Sequence, residues 1–146
     1  MVPSFYTTVL QKSPVFRSAV PVRDPQWLEP EFRDRVMKLI ADARAAGHEL
    51  RILETYRSQE LQTAYYERGA TQLRTVGVHH FGLACDLGIV VAGQVNLKAD
   101  YGILGELTRK HRLVWGGDWL KLKDFCHFEL PDWRSLPVPE AAPETA

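Results

Sequence analysis

Two short stretches contain the residue types that could do chemistry: "GVHHFGLACD" over 77–86 and "DFCHFE" over 124–129. Together they offer His79 or His80, Asp86 and His127, with Asp124 and Glu129 as further carboxylates. Three nitrogen or oxygen ligands and an open fourth position make the donor set of a catalytic zinc, whereas structural zinc sites are closed by four ligands rich in cysteine. A zinc so held lowers the pKa of a bound water to about 7. A nearby carboxylate can then take the water's proton and pass it to a leaving amine. Asp124 and Glu129 both compete for that task, and Glu129 shares strand parity with His127. Spacing does not choose between the two histidines. Asp86 stands six residues after His80 and seven after His79. Six extended residues span about 20 Å, too far for two ligands that each sit about 2 Å from one ion. The chain must turn between them, and Gly82 is the place for it. Once it turns, strand parity no longer decides, and the two histidines stay level.

The elements that must position these residues can be read from apolar periodicity. Phe32, Val36, Leu39, Ile40 and Ala43 recur at helical spacing over 30–46, and Gly47 supplies a stop. "LRILETY" reads as a short buried strand. Ser58 can cap a second helix, "SQELQTAYYERG", that ends at Gly69. A polar loop then leads to a second strand, "GLACDLGIVV", and Ala92, Gly93 and Gln94 make a turn. "ADYGILGELTRKH" is a weaker helix with Ile103, Leu104 and Leu107 on one face and two glycines against it. "RLVW" and "FCHFEL" read as further strands around Gly116 and Gly117. Mixed helices and strands with a hairpin-like end predict an α+β domain, a small antiparallel sheet with helices packed on it. Residues 1–26, with four prolines, are expected as an extended lead-in. Residues 27–136 form the domain, and the proline- and alanine-rich 137–146 is expected to be disordered. Cys85 and Cys126 each precede a candidate ligand, so on neighbouring strands both thiols point away from the metal. They are expected as free thiols.

Composition bounds the partners. Lys and Arg number 18 and so do Asp and Glu, for a net charge of zero in 146 residues. That excludes the basic excess usual for nucleic-acid binding. No apolar run reaches the roughly 20 residues needed to cross a bilayer. The start of the chain lacks a basic segment followed by an apolar block, so synthesis in the cytoplasm without a secretory signal is expected.

The first stretch resembles the H-x-x-G-x-A-x-D zinc motif of the M15 family of peptidoglycan peptidases, through His79, Gly82, Ala84 and Asp86. "TYRSQELQ" is similar to the family's Y-R-S-x-x-x-Q stretch, through Tyr56, Arg57, Ser58 and Gln62. "WGGDW" and "KDFCHFEL" resemble the C-terminal part of its phage endolysin branch. The resemblance runs over roughly residues 30–131, with four motifs in order. It implies a hedgehog/D-Ala-D-Ala peptidase-like fold and one zinc on His79, Asp86 and His127. It also implies Asp124 as general base, Arg57 facing the substrate or its oxyanion, and Gln62 and Trp119 as substrate contacts. Trp115 is expected in the core. His80 falls outside the motif and is left as a hydrogen-bonding neighbour, a substrate contact or a solvated side chain. Two positions depart from the family pattern, Gly77 where serine is common and Cys126 where proline is common. The implied activity is an L-alanyl-D-glutamate endopeptidase, a monomer acting on stem peptides as a phage or prophage endolysin after release from the cytoplasm. The alternative within the same chemistry is a D-alanyl-D-alanine carboxypeptidase or dipeptidase. A non-catalytic zinc binding module is the alternative from another class.

Overall fold

The computed structural model describes residues 2–71 and 77–135. Its centre is an antiparallel sheet built from β1 (Leu50–Glu54), β2 (Ala84–Val91), β3 (Gln94–Val95), β4 (Val114–Trp115) and β5 (His127–Glu129). The strand order is β1-β2-β5-β4, with β3 also paired to β2. This is the α+β arrangement predicted. β2 is long because Ala92 (φ 52) and Gly93 (φ 81) close a two-residue turn of the mirror-image type, whose twist suits a hairpin.

The helices form where capping and periodicity said. α2 (Pro30–Ala45) opens with proline at its first turn, and Glu29 accepts from the Phe32 N–H at 2.9 Å. Its buried face is Phe32, Val36, Leu39 and Ala43. α3 (Gln59–Glu67) is capped by Ser58, whose hydroxyl accepts from the Leu61 N–H at 2.9 Å, a contact worth about 1 kcal/mol.

Two cores share β2. One joins the α2 face to Leu50, Cys85, Leu87, Ile89, Leu104, Trp115 and Phe128. The other joins Phe5, Tyr6, Leu10 and Tyr56 to Val78, Phe81, Leu83 and Ala84. Trp115 is in the core, as expected. Cys85 and Cys126 are free thiols, one inside the first core and the other packed against it.

Two expectations are corrected. Residues 2–10 are not an extended lead-in: α1 (Val2–Phe5) runs into a π-helical turn over Tyr6–Leu10. Tyr6 and Leu10 are fully buried there against the second core. Tertiary burial, absent from a propensity argument, orders the segment. The weak helix near 103 is a 3-10 turn, Tyr101–Leu104, followed by the short α4 (Gly105–Lys110). A three-residue period turns Tyr101 and Leu104 inward together and leaves Ile103 outside, 39% exposed. The expected tail over 137–146 and most of the loop before residue 77 lie outside the described residues. Among the described residues, no helix is long and apolar enough to cross a membrane.

Candidate metal centre and cleft

The required turn is at Gly82. A 3-10 turn, Val78–Phe81, ends there with Gly82 at φ +71, and a Cβ would meet the Trp27 carbonyl oxygen at 2.9 Å. Both backbone conformation and space demand glycine. The turn folds His79 back toward β2. His79 Nδ1 lies 2.8 Å from the Thr55 carbonyl oxygen, which can only accept, so Nδ1 carries the hydrogen. Nε2 is then left with its lone pair. It sits 3.2 Å from Asp86 Oδ1 but is not aligned for a hydrogen bond, and it is buried without a partner.

Strand register supplies the other two groups. Asp86 on β2 lies directly across from His127 on β5. His127 Nδ1 is 3.3 Å from Asp86 Oδ1, while Nε2 donates to Glu129 Oε1 at 2.7 Å. One ligating atom each from His79, Asp86 and His127 all lie within 4.8 Å of one another. Each imidazole thus presents one nitrogen to a common point and gives its other N–H to a protein acceptor, the arrangement that orients metal-bound histidines. An orphaned buried lone pair beside a carboxylate and a second imidazole fits a divalent cation.

Electrostatics agree. Burial alone would raise the Asp86 carboxyl, but the neighbouring His79 and His127 outweigh it and hold the group well below the usual carboxylate range. Burial would lower His127, yet hydrogen bonds to Asp86 and Glu129 carry it up to about 9.

The remaining expected residues surround this point. Arg57 is nearly buried at the start of α3. Its Nε and Nη2 both donate to Glu54 Oε1, Nε at 3.2 Å, and Nη1 donates to Gln62 Oε1 at 3.1 Å. Its Nη2 is 4.0 Å from Asp86 Oδ2, and its guanidinium lies 4.8 Å from the Tyr65 ring centroid. The Trp119 ring is 5.2 Å from that of His127. Asp124 is exposed. It is placed by its own N–H to the Gly116 carbonyl at 3.1 Å and by its carbonyl accepting from the His127 N–H at 3.2 Å. A Cβ on Gly116 would stand 2.2 Å from the Asp124 carbonyl oxygen, and one on Gly117 the same distance from the Trp115 ring. The "WGGDW" glycines therefore let the Asp124 segment close on β4. Arg57, Gln62, His79, Asp86, Trp119, Asp124 and His127 all line one open cleft of about 720 Å³, room for a short peptide.

Glu129 holds His127 Nε2 rather than standing free in the cleft. Glu54 was not singled out in the sequence. Its carboxylate anchors Arg57, and its Oε2 is buried with no partner. The available signal was a lone acid three residues before the arginine, facing Asp86 across β1 and β2. His80 is neither solvated nor in the cluster. It is buried in the second core, where its Nδ1 donates to the Arg57 carbonyl at 3.0 Å and Tyr6 donates to its Nε2 at 2.7 Å.

Comparison with known proteins points the same way. A family profile described as D-alanyl-D-alanine carboxypeptidase matches residues 71–130, a span that holds His79, Asp86, Asp124 and His127. The chain is similar to the peptidoglycan L-alanyl-D-glutamate endopeptidase CwlK of Bacillus subtilis (strain 168). The two are 27% identical over 125 residues, covering 73% of this chain and 75% of that protein. Among solved structures it is similar to the L-Ala D-Glu endopeptidase ChiX of Serratia marcescens. The TM-score is 0.62 at 27% identity, covering 73% of this chain and 82% of that one. It shares its fold with the vancomycin resistance D,D-pentapeptidase VanY, solved with Zn(II). There the TM-score is 0.55 at 16% identity, covering 70% of this chain and 72% of that one.

Proposed function

We propose that this chain is an M15-type peptidase, a zinc enzyme hydrolysing the L-alanyl-D-glutamate bond of peptidoglycan stem peptides. The observation that carries this reading is the convergence of His79 Nε2, Asp86 and His127 Nδ1, with both distal imidazole N–H groups already engaged. An N,N,O donor set beside an open cleft suits one catalytic zinc. The choice of bond rests on CwlK and ChiX, both L-alanyl-D-glutamate endopeptidases by name. In this reading the protein is a phage or prophage endolysin that reaches the wall after release from the cytoplasm.

Zinc held by His79, Asp86 and His127 would polarise the scissile carbonyl and make hydroxide available from water near neutral pH. The chain's own residues do the rest. Among the described residues, the Asp124 carboxylate accepts only the Cys126 N–H, at 3.3 Å. It is therefore free to take a proton from the attacking water and deliver it to the leaving amine. Arg57 has five N–H donors, of which three are held by Glu54 and Gln62. The other two are fixed in direction and serve the oxyanion of the tetrahedral intermediate. Trp119 forms a wall beside His127 for the peptide to pack against.

The family description favours one rival, removal of terminal D-alanine. Digestion of defined muropeptides, read by mass spectrometry, separates the two. New D-glutamyl amino termini are expected, lost on chelation and restored by zinc. Release of free D-alanine alone would establish the carboxypeptidase, and cleavage indifferent to chelation would remove the metal from the mechanism. Asp124→Asn should keep stoichiometric zinc and lose roughly 100- to 10,000-fold in kcat. Unchanged activity in that variant would move the base role to Glu129.

A further inference from the structure

Two residues that line the cleft, a tryptophan and an arginine, have no assigned task. Trp133 and Arg134 both line the cleft. The Trp133 ring packs against the second core and lies 6.3 Å from the Phe81 ring. Its indole Nε1–H is buried with no hydrogen-bond partner, a costly state for a donor. The Arg134 guanidinium carbon sits 4.9 Å from the centroid of that same ring. Arg134 is exposed, and its guanidinium N–H groups can meet a planar, two-oxygen acceptor while the cation rests near the ring. Of the two arginines that line the cleft, Arg57 is bound to Glu54, whereas Arg134 has no carboxylate partner among the described residues. Besides these two arginines, the cleft is lined by the acids Asp86, Asp124 and Glu129 and by the imidazoles of His79 and His127.

We propose that Trp133 and Arg134 form a carboxylate subsite that reads a free carboxyl on the glutamyl residue of a bound stem peptide. The inference rests on the peptidase reading and makes it more specific. A glutamate whose amine lies in the scissile bond has two carboxyls. Only one continues the chain, so the other remains free unless it is amidated. The subsite therefore makes the enzyme a reader of that carboxyl's charge. The alternative source of the same chemistry is the terminal carboxylate of a shorter peptide.

The test measures binding, so that it does not depend on cleavage. Zinc-loaded wild-type protein is titrated calorimetrically with a D-glutamyl dipeptide, the product of the leaving side, which contains no scissile bond. Three forms are compared: free side carboxyl, amidated side carboxyl, and amidated C-terminus. A charge-assisted pair predicts roughly 10- to 100-fold tighter binding of the two forms with a free side carboxyl. Arg134→Ala should erase that preference by weakening the acid and leaving the side amide unchanged. Trp133→Phe should remove part of it and Arg134→Lys should keep part. Equal binding of acid and side amide by wild type, or equal weakening of both by Arg134→Ala, would overturn the subsite. Sensitivity to the C-terminal amide alone would assign the contact to a terminal carboxylate and overturn it too. A preserved acid preference in a protein that cleaves no muropeptide would uphold the subsite and reject the peptidase. Cleavage without the preference would do the reverse.

Discussion

His79 and His80 are adjacent and chemically identical, and their surroundings give them opposite duties. His79 keeps an unused Nε2 lone pair beside Asp86. His80 has both nitrogens occupied and rings on several sides from Tyr6, Phe16, Tyr56 and Phe81. Burial pushes its pKa down to about 4, despite the Arg57 carbonyl, so it stays neutral at pH 7. His79→Ala should abolish zinc binding and activity. His80→Ala should keep the metal and lose about 2–4 kcal/mol of stability, read by metal analysis and urea unfolding. A reversed pattern would exchange the two assignments. His127 gives a pH dependence. Below its metal-free pKa of about 9 it carries a proton on each nitrogen, and zinc must displace the one on Nδ1. Apparent zinc affinity should therefore rise about tenfold per pH unit from neutrality toward pH 9 and then level off, as competition with a chelator of known affinity would show. A flat profile would mean that His127 is not protonated before binding. The residues that cluster, His79, Asp86 and His127, could be named through motif order, but residue spacing alone left the histidines tied, because the Gly82 turn sets which of them faces Asp86. Glu54 was not legible, since its importance arises from strand register and from the guanidinium that it neutralises.

At the scale of elements, the site depends on how closely the 116–124 segment closes on β4. Gly116→Ala would place a methyl 2.2 Å from the Asp124 carbonyl oxygen, and Gly117→Ala would place one as close to the Trp115 ring. Each should cost about 1–3 kcal/mol. Only Gly116→Ala displaces the proposed base directly, so it should lose far more kcat at equal zinc content. Activity normalised to bound metal checks this, and equal losses would show general loosening instead. Helix limits and caps were readable because Ser58, Pro30 and the α2 stripe act locally. Residues 2–10 and Ile103 were misread because partners distant in sequence fix them.

The whole molecule joins two cores through β2, and the N-terminal helix closes the second. Tyr6 reaches 74 residues along the chain to His80. Tyr6→Phe should cost about 1 kcal/mol with zinc retained. Deleting residues 1–10 should uncover Val78, Phe81 and Leu83, lower the melting temperature, and weaken zinc binding by loosening the turn that carries His79. Differential scanning calorimetry with and without metal tests both. Full zinc affinity in the deletion variant would show that the motif loop holds itself.

The proposed metal ligands come from a turn, a central strand and a late strand, and the two histidines stand 48 positions apart in the chain. They meet only after β2 and β5 have paired and the Gly82 turn has formed. An ion that needs all three can add little to a transition state in which they are still apart. Zinc should thus act as a brake on unfolding and not as a nucleus for folding. In stopped-flow chevrons the refolding limb should be the same with and without metal. The unfolding limb should slow by about 1,000-fold when free zinc is 1,000 times its Kd. An accelerated refolding limb would instead place ligand assembly early, ahead of the sheet.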